Sequence, residues 1–248
     1  MKVLITGKGG VGKTTIAAVL ARSLAQRGLN VIAIDGDANP NLGLALGLGE
    51  GIQHVHSVNN DLGKRIHEKE LGELLETFGV SAPDGVRLLQ TGEVAYPSEG
   101  CPGCGPHETL REVVARFPDD MQSVVVADLE PGVNDLIWAH PKPNDVVLIV
   151  TDTSKKSLEV GKNMRAVAAE LNLGRVIVIA NRAERPDDAE RARAEFPGTA
   201  VHIVPEDPLV RQADRDGLSP IDTASKGPGV SAIISLVDQY FSIGAPAV

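Results

Sequence analysis

The stretch Gly7-Lys8-Gly9-Gly10-Val11-Gly12-Lys13-Thr14-Thr15 constrains the fold of this chain more than any other. From Gly7 to Thr14 it satisfies G-x-x-x-x-G-K-[ST], in which a glycine-rich loop turns backbone N–H groups toward an anion. The flanks match what such a loop needs. Lys2-Val3-Leu4-Ile5-Thr6 is a short, β-branched apolar run that predicts a buried strand. From Thr14 onward, Ile16, Ala17, Val19, Leu20 and Leu24 share one face of a predicted helix. The N-terminus of that helix places partial positive charge where phosphates would sit. Gly9, Gly10, Val11, Gly12 and Thr15 then form a cradle for a nucleoside triphosphate such as ATP. Lys13 is placed to contact the β- and γ-phosphates, and the Thr14 hydroxyl to ligate Mg²⁺. One lysine is enough for a nucleotide bound within a single subunit. The second, Lys8, stands early enough in the loop to reach a nucleotide held by a neighbour.

The rest of the chain repeats the strand–helix alternation. Apolar runs Val31–Ile34, Ser123–Ala127, Asp145–Val150, Arg175–Ala180 and Val201–Val204 each end at a polar or turn residue. Parallel strands deliver loops to a ligand edge in this way. Between them, Leu158, Gly161, Met164, Val167, Ala168 and Leu171 keep helical spacing, as do Val230, Ile233, Ile234, Val237, Tyr240 and Phe241. The expected class is α/β: a single P-loop domain over 1–248, its mostly parallel sheet flanked by helices on both faces. Residues 52–100 are the least regular part, with a helix expected around 67–78 and a surface strand at His54-Val55-His56. The glycine- and proline-rich stretch 92–106 reads as an exposed loop.

Net charge is −9 and only 3% of residues are aromatic, which disfavours a nucleic-acid surface built on basic patches and stacking platforms. Apolar runs are too short to span a bilayer, and the chain opens directly on strand and loop rather than on a leader. A cytoplasmic enzyme or switch, with no nucleic-acid or membrane partner, is expected.

Three later segments carry chemistry. Asp35-Gly36-Asp37 follows the second strand, and Asp37 is the better placed to orient or activate an attacking water; either aspartate could instead cap the next helix. Asp128-Leu129-Glu130-Pro131-Gly132 pairs a strand-end carboxylate, suited to Mg²⁺, with a glycine whose N–H can meet the γ-phosphate; Glu130 reads as a surface charge. Asn181-Arg182 ends another strand, where an amide offers both a donor and an acceptor to an adenine edge or simply closes a turn. Pro205 could line the same base pocket.

The two cysteines stand as Cys101-Pro102-Gly103-Cys104. Paired thiols in a cytosolic chain suggest a metal, cluster or redox site rather than a disulfide. Pro106 suits the first turn of a helix running to about Phe117, which puts Cys104 near a helix N-terminus. Tetrahedral Zn²⁺ or a [4Fe–4S] cluster takes four ligands, which two chains about a twofold axis would supply. His107 could add a nitrogen, although a capping or solvated role suits it better.

Lys8 and Lys13 together resemble the deviant P-loop of the MinD/ParA/nitrogenase iron protein class of dimeric ATPases. The resemblance covers roughly residues 1–241. It implies a homodimer in which Lys8 contacts the partner's nucleotide, with Asp37, Asp128 to Gly132, and Asn181 at the switch I, switch II and adenine positions. Within that class the chain is most similar to the CooC-type ATPases that insert nickel into carbon monoxide dehydrogenase. The similarity lies in length, in the Gly7–Thr15 loop, in Asp35-Gly36-Asp37 and in a cysteine pair just ahead of switch II. It implies Ni²⁺ as cargo and an apoprotein client. CooC proteins usually separate the cysteines by one residue, whereas Pro102-Gly103 intervene here. The wider bite leaves Zn²⁺ or an iron–sulfur cluster open. A partitioning or positioning switch is the other reading, although Ser235 to Val248 contains no lysine or arginine for a basic membrane helix.

Overall fold

The computed structural model describes residues 1–91, 104–117, 123–139 and 141–241, with residues 60, 61, 63, 64, 104–107, 135 and 138 described by backbone alone. In chain order the elements are β1 (Lys2–Gly7), α1 (Lys13–Ala25), β2 (Asn30–Asp35), α2 (Leu42–Leu46), α3 (Val58–Leu62), α4 (Leu71–Phe78), β3 (Val80–Ser81), β4 (Arg87–Gln90), α5 (Cys104–Arg116) and β5 (Ser123–Asp128). They continue with α6 (Asn134–Trp138), β6 (Val146–Asp152), α7 (Lys155–Glu170), β7 (Arg175–Ala183), α8 (Asp188–Glu195), β8 (Ala200–Pro205), α9 (Pro208–Asp216), α10 (Pro220–Thr223) and α11 (Pro228–Tyr240).

The strands form one sheet in the order β3-β4-β2-β5-β1-β6-β7-β8, parallel except for β3. Both faces are covered, so the strands are nearly continuous apolar runs. The pleat sorts their side chains. Val3 and Ile5 point into one core with α1, α2 and α11, while Leu4 points into a second core with α4, α5 and α7. β1 sits between β5 and β6. The chain therefore crosses from one side of β1 to the other after β5. The crevice at such a reversal, outside the carboxyl ends of the strands, is where open α/β sheets bind ligands.

The expected class holds, and the six anticipated strands that carry the phosphate loop and the later motifs are present. Two local expectations are corrected, and two short strands were missed. His54-Val55-His56 is not a strand: Gly49–His54 is a 3₁₀ turn, and only Ser57 bridges to Gln90. Three residues between that turn and α3 are too few to pair along a neighbour. The helix expected around 67–78 divides into a 3₁₀ turn (Gly63–Glu68) and α4, whose start is set by reciprocal capping between Glu70 and Glu73. β3 and β4 were not anticipated, because Arg87–Gln90 lacks the β-branched signature and is a strand through its pairing with β2.

Candidate functional site

The loop that joins β1 to α1 is held by residues far along the chain. Gly7 packs on β6, where a Cβ would overlap the Val150 carbonyl oxygen. Gly12 takes φ 94°, and a Cβ there would stand 2.5 Å from Nδ2 of Asn181. That amide nitrogen donates to the Val11 carbonyl at 2.7 Å. Next to it, Arg182 adopts the left-handed φ of 57° and donates from Nη1 to the Gly10 carbonyl at 3.0 Å. The strand-end pair Asn181-Arg182 thus braces the phosphate loop from outside, which its sequence context did not reveal.

At the floor of the site two carboxylates face each other across the sheet. Asp35 and Asp128 are register partners at the ends of β2 and β5, and each is 1% exposed. Burial pushes the Asp128 carboxyl up to about 7, with further lift from the Asp35 charge and opposition from the Thr14 hydroxyl bond and Lys13. Burial likewise raises Asp35 to about 6, against hydrogen bonds from the backbone of Leu42 and Asp37. Asp128 Oδ1 is buried with no hydrogen-bond partner. Lys13 is 6% exposed, and burial lowers its pKa although Asp128, Asp37 and Glu130 all favour its charge. An acidic floor at the ends of β2 and β5 thereby meets a buried ammonium and a hydroxyl from the first turn of α1.

The flanking loops are tied to this floor and to each other. Asp35 Oδ2 accepts from Leu42 N at 2.8 Å and so starts α2. Capping therefore falls to Asp35, while the half-buried Asp37 lines the cleft. Glu130, expected as a surface charge, is half-buried and accepts from Ala38 N at 3.0 Å, linking the Asp128–Gly132 loop to the Asp37 loop. Thr6 Oγ1 donates to the Gly132 carbonyl at 2.7 Å, and Pro131 lies against Gly9. Asp35, Glu130 and Thr6 hold the loops of the site together, which spacing alone did not single out. Asp35 could have been found from its place at a strand end directly abreast of Asp128.

A cleft of about 440 Å³ opens above the loop, lined by Lys13, Thr14, Asp37, Asn41, Pro131 and Leu218 among others. A smaller recess of about 50 Å³ continues past Thr15 to Asn181, Arg182, Pro205 and Asp207. Of the residues expected at phosphate and base, Gly10, Gly12, Lys13, Thr14, Thr15, Asp37, Asn181, Arg182 and Pro205 line these adjoining cavities, whereas Gly9 and Val11 do not. Lys8 is half-buried and lies outside the lining of both. Gly132 lies beneath the loop on Thr6 rather than in the cleft wall. Cys104 begins α5, while Cys101 and most of the 92–106 loop lie outside the described residues. Among the described residues no group of three or more His, Cys, Asp or Glu is arranged to hold a metal ion. No described helix is long and apolar enough to cross a membrane.

Comparison with known proteins matches this architecture. The chain is 32% identical over 199 residues to an uncharacterized ATP-binding protein of Methanocaldococcus jannaschii, covering 75% of this chain and 77% of that one. It is 28% identical over 240 residues to the carbon monoxide dehydrogenase accessory protein CooC of Rhodospirillum rubrum, covering 90% of each. Among solved structures, the septum site-determining protein MinD of Pyrococcus horikoshii, complexed with Mg-ADP, superposes with a TM-score of 0.76 at 22% identity over the whole of both chains. The family model for the CobQ/CobB/MinD/ParA nucleotide binding domain matches residues 2–221. With the phosphate loop, its acidic floor and this match in agreement, the chain belongs to the CobQ/CobB/MinD/ParA family and is a P-loop ATPase.

Proposed function

We propose that this ATPase works as a homodimer that couples ATP turnover to the capture and delivery of a metal ion, Ni²⁺ first among the candidates, to an apoprotein client. The contact that carries this reading lies between α5 and switch I. Leu110 of α5 packs over Gly36 so closely that a Cβ on Gly36 would stand 2.9 Å from Leu110 Cδ2 and 3.0 Å from the Asp128 carbonyl oxygen. The helix that opens at Cys104 therefore rests on the residue between Asp35 and Asp37. Movement of the catalytic loop is transmitted to the thiol-bearing helix by direct packing. The similarity to CooC, which spans 90% of each chain, supports the choice of cargo.

In the ATPase cycle, Lys13 neutralises charge on the β- and γ-phosphates while the loop N–H groups hold their oxygens. Asp37 is the group that accepts a proton from the attacking water, since it lines the cleft and is less buried than Asp35. Asn181 and Pro205 border the recess that suits the base. The unpartnered Oδ1 of Asp128 and the Thr14 hydroxyl fit a hard cation with oxygen ligands, and Mg²⁺ held there would supply charge neutralisation to the phosphates. Lys8 is left to reach the partner's phosphates when the subunits close. Cys101 and Cys104 from both subunits would complete a four-thiolate site for the cargo.

Anaerobic purification followed by elemental analysis and absorption spectroscopy tests the reading. Nickel retained at about one ion per dimer, and lost in Cys101→Ser/Cys104→Ser, is the expected result. Equal metal content in parent and variant would overturn it. A broad visible band with iron and sulfide would move the cargo to a [4Fe–4S] cluster, and ATP-dependent binding to DNA or liposomes without retained metal would favour a positioning switch.

A further inference from the structure

Arg22 lies on the third turn of α1, buried to 4% exposure, and takes no part in the phosphate site. Its guanidinium gathers three distant segments. Nε donates to Asp84 Oδ2 at 2.6 Å. Nη1 and Nη2 donate to the two oxygens of Asp222 at 2.5 and 2.9 Å, a bidentate fork. Nη1 also reaches Ser219 Oγ at 3.2 Å and, more weakly, the Leu46 carbonyl at 3.4 Å. Burial opposes the charge, but the hydrogen bonds to Asp222 and Asp84 outweigh it.

Two of these segments are walls of the nucleotide cleft. Asn41, Leu44 and Ala45 line it from α2 and the turn before it, and Leu46 ends α2. Gly217, Leu218 and Pro220 line it from the far end of the chain, and Ser219 and Asp222 belong to that segment. Space between the walls is already minimal. A Cβ on Gly47 would stand 3.2 Å from Ser219 Cβ and 3.5 Å from Arg22 Nη1. The helix that carries Arg22 begins with Lys13 and Thr14, so one rigid element sets the position of both the phosphate loop and the cleft walls. The Asp84 tie differs. Its turn does not line the cleft and is held separately by Gln26 Nε2 at 3.0 Å.

We propose that Arg22 is a positioning residue for nucleotide affinity: through Asp222 and Ser219 it fixes the 217–222 segment against α2, and thereby the width of the cleft above the phosphate loop. This inference concerns the ATPase itself and is independent of what the cysteines carry.

The test compares Asp222→Asn, Ser219→Ala and Arg22→Lys with Asp84→Asn in the full-length protein. ATPase kinetics, calorimetric ADP binding and thermal melting are measured on each. Lysine keeps the charge but loses the fork. Asp222→Asn and Arg22→Lys are expected to raise KM for ATP and Kd for ADP about tenfold, with kcat at saturation within about twofold. Ser219→Ala should show a smaller rise of the same kind, and it keeps the test open should a charge variant fail to fold. Asp84→Asn should lower the melting temperature with KM unchanged. An unchanged KM in Asp222→Asn, or an equal rise in Asp84→Asn, would reduce Arg22 to a structural brace and overturn the proposal.

Discussion

Asp128 shows how far the site departs from a stability optimum. A carboxyl raised to about 7 in the fold, against the ordinary 3.8 of an aspartate, binds its proton more tightly when folded. Its contribution to stability is therefore full at acidic pH and is lost as pH rises through about 7. Above that, the apo protein holds a buried charge whose Oδ1 lacks a partner. Asp128→Asn should accordingly raise the melting temperature of the nucleotide-free protein in EDTA by about 5 °C at pH 8. The gain should shrink toward zero at pH 5, and Mg-ATP turnover should fall by orders of magnitude. Parallel melts at the two pH values check it, and an equal difference at both would refute it. Lys13, Thr14 and Asp128 were legible because a motif fixes their order. Asp35 and Glu130 were not, since what distinguishes them is burial and the loop N–H groups that they accept from. Arg22 was invisible for a similar reason: its partners lie 24 to 200 residues away.

At the scale of elements, the contact between α5 and switch I is tight enough to measure. Gly36→Ala places a methyl against Leu110 and should cost about 1–3 kcal/mol by overpacking. Leu110→Ala, at a position 2% exposed, should cost about 2–5 kcal/mol through the space left behind. In the double variant the two changes relieve each other. Urea melts of the four proteins should give a favourable coupling on the order of 1 kcal/mol, and strict additivity would show that the helix and the loop do not share the contact. The strands that carry the site were readable because β-branched apolar runs ended at polar residues. The 52–91 region resisted, because β4 is defined by its neighbour and His54 to His56 by the turn before them.

For the whole molecule, the alternation of strands and helices sufficed to place the ligand edge, and the order of the strands decided where along it the site falls. Subunit closure is the remaining large-scale expectation. Lys8 lies outside the cleft lining of its own subunit, so Lys8→Ala should leave ADP affinity within about twofold while reducing ATP turnover at least tenfold. Light scattering should show an ATP-dependent dimer for the parent and a monomer for the variant; a variant that dimerises and turns over normally would exclude the cross-subunit role.

The sorting of β1 side chains into two cores has a steric consequence. α1, α2 and α11 pack on one side of the sheet, and α4, α5 and α7 on the other. In the proposed delivery cycle, a client gripping α5 would approach from the side opposite α2, whose residues wall the nucleotide cleft. On that reading ADP would leave and ATP enter while the client stays docked, so cargo hand-over and fuel exchange would not have to take turns at one doorway. The two sides of the sheet come together at its carboxyl edge, where Asp35 stands beside Asp128.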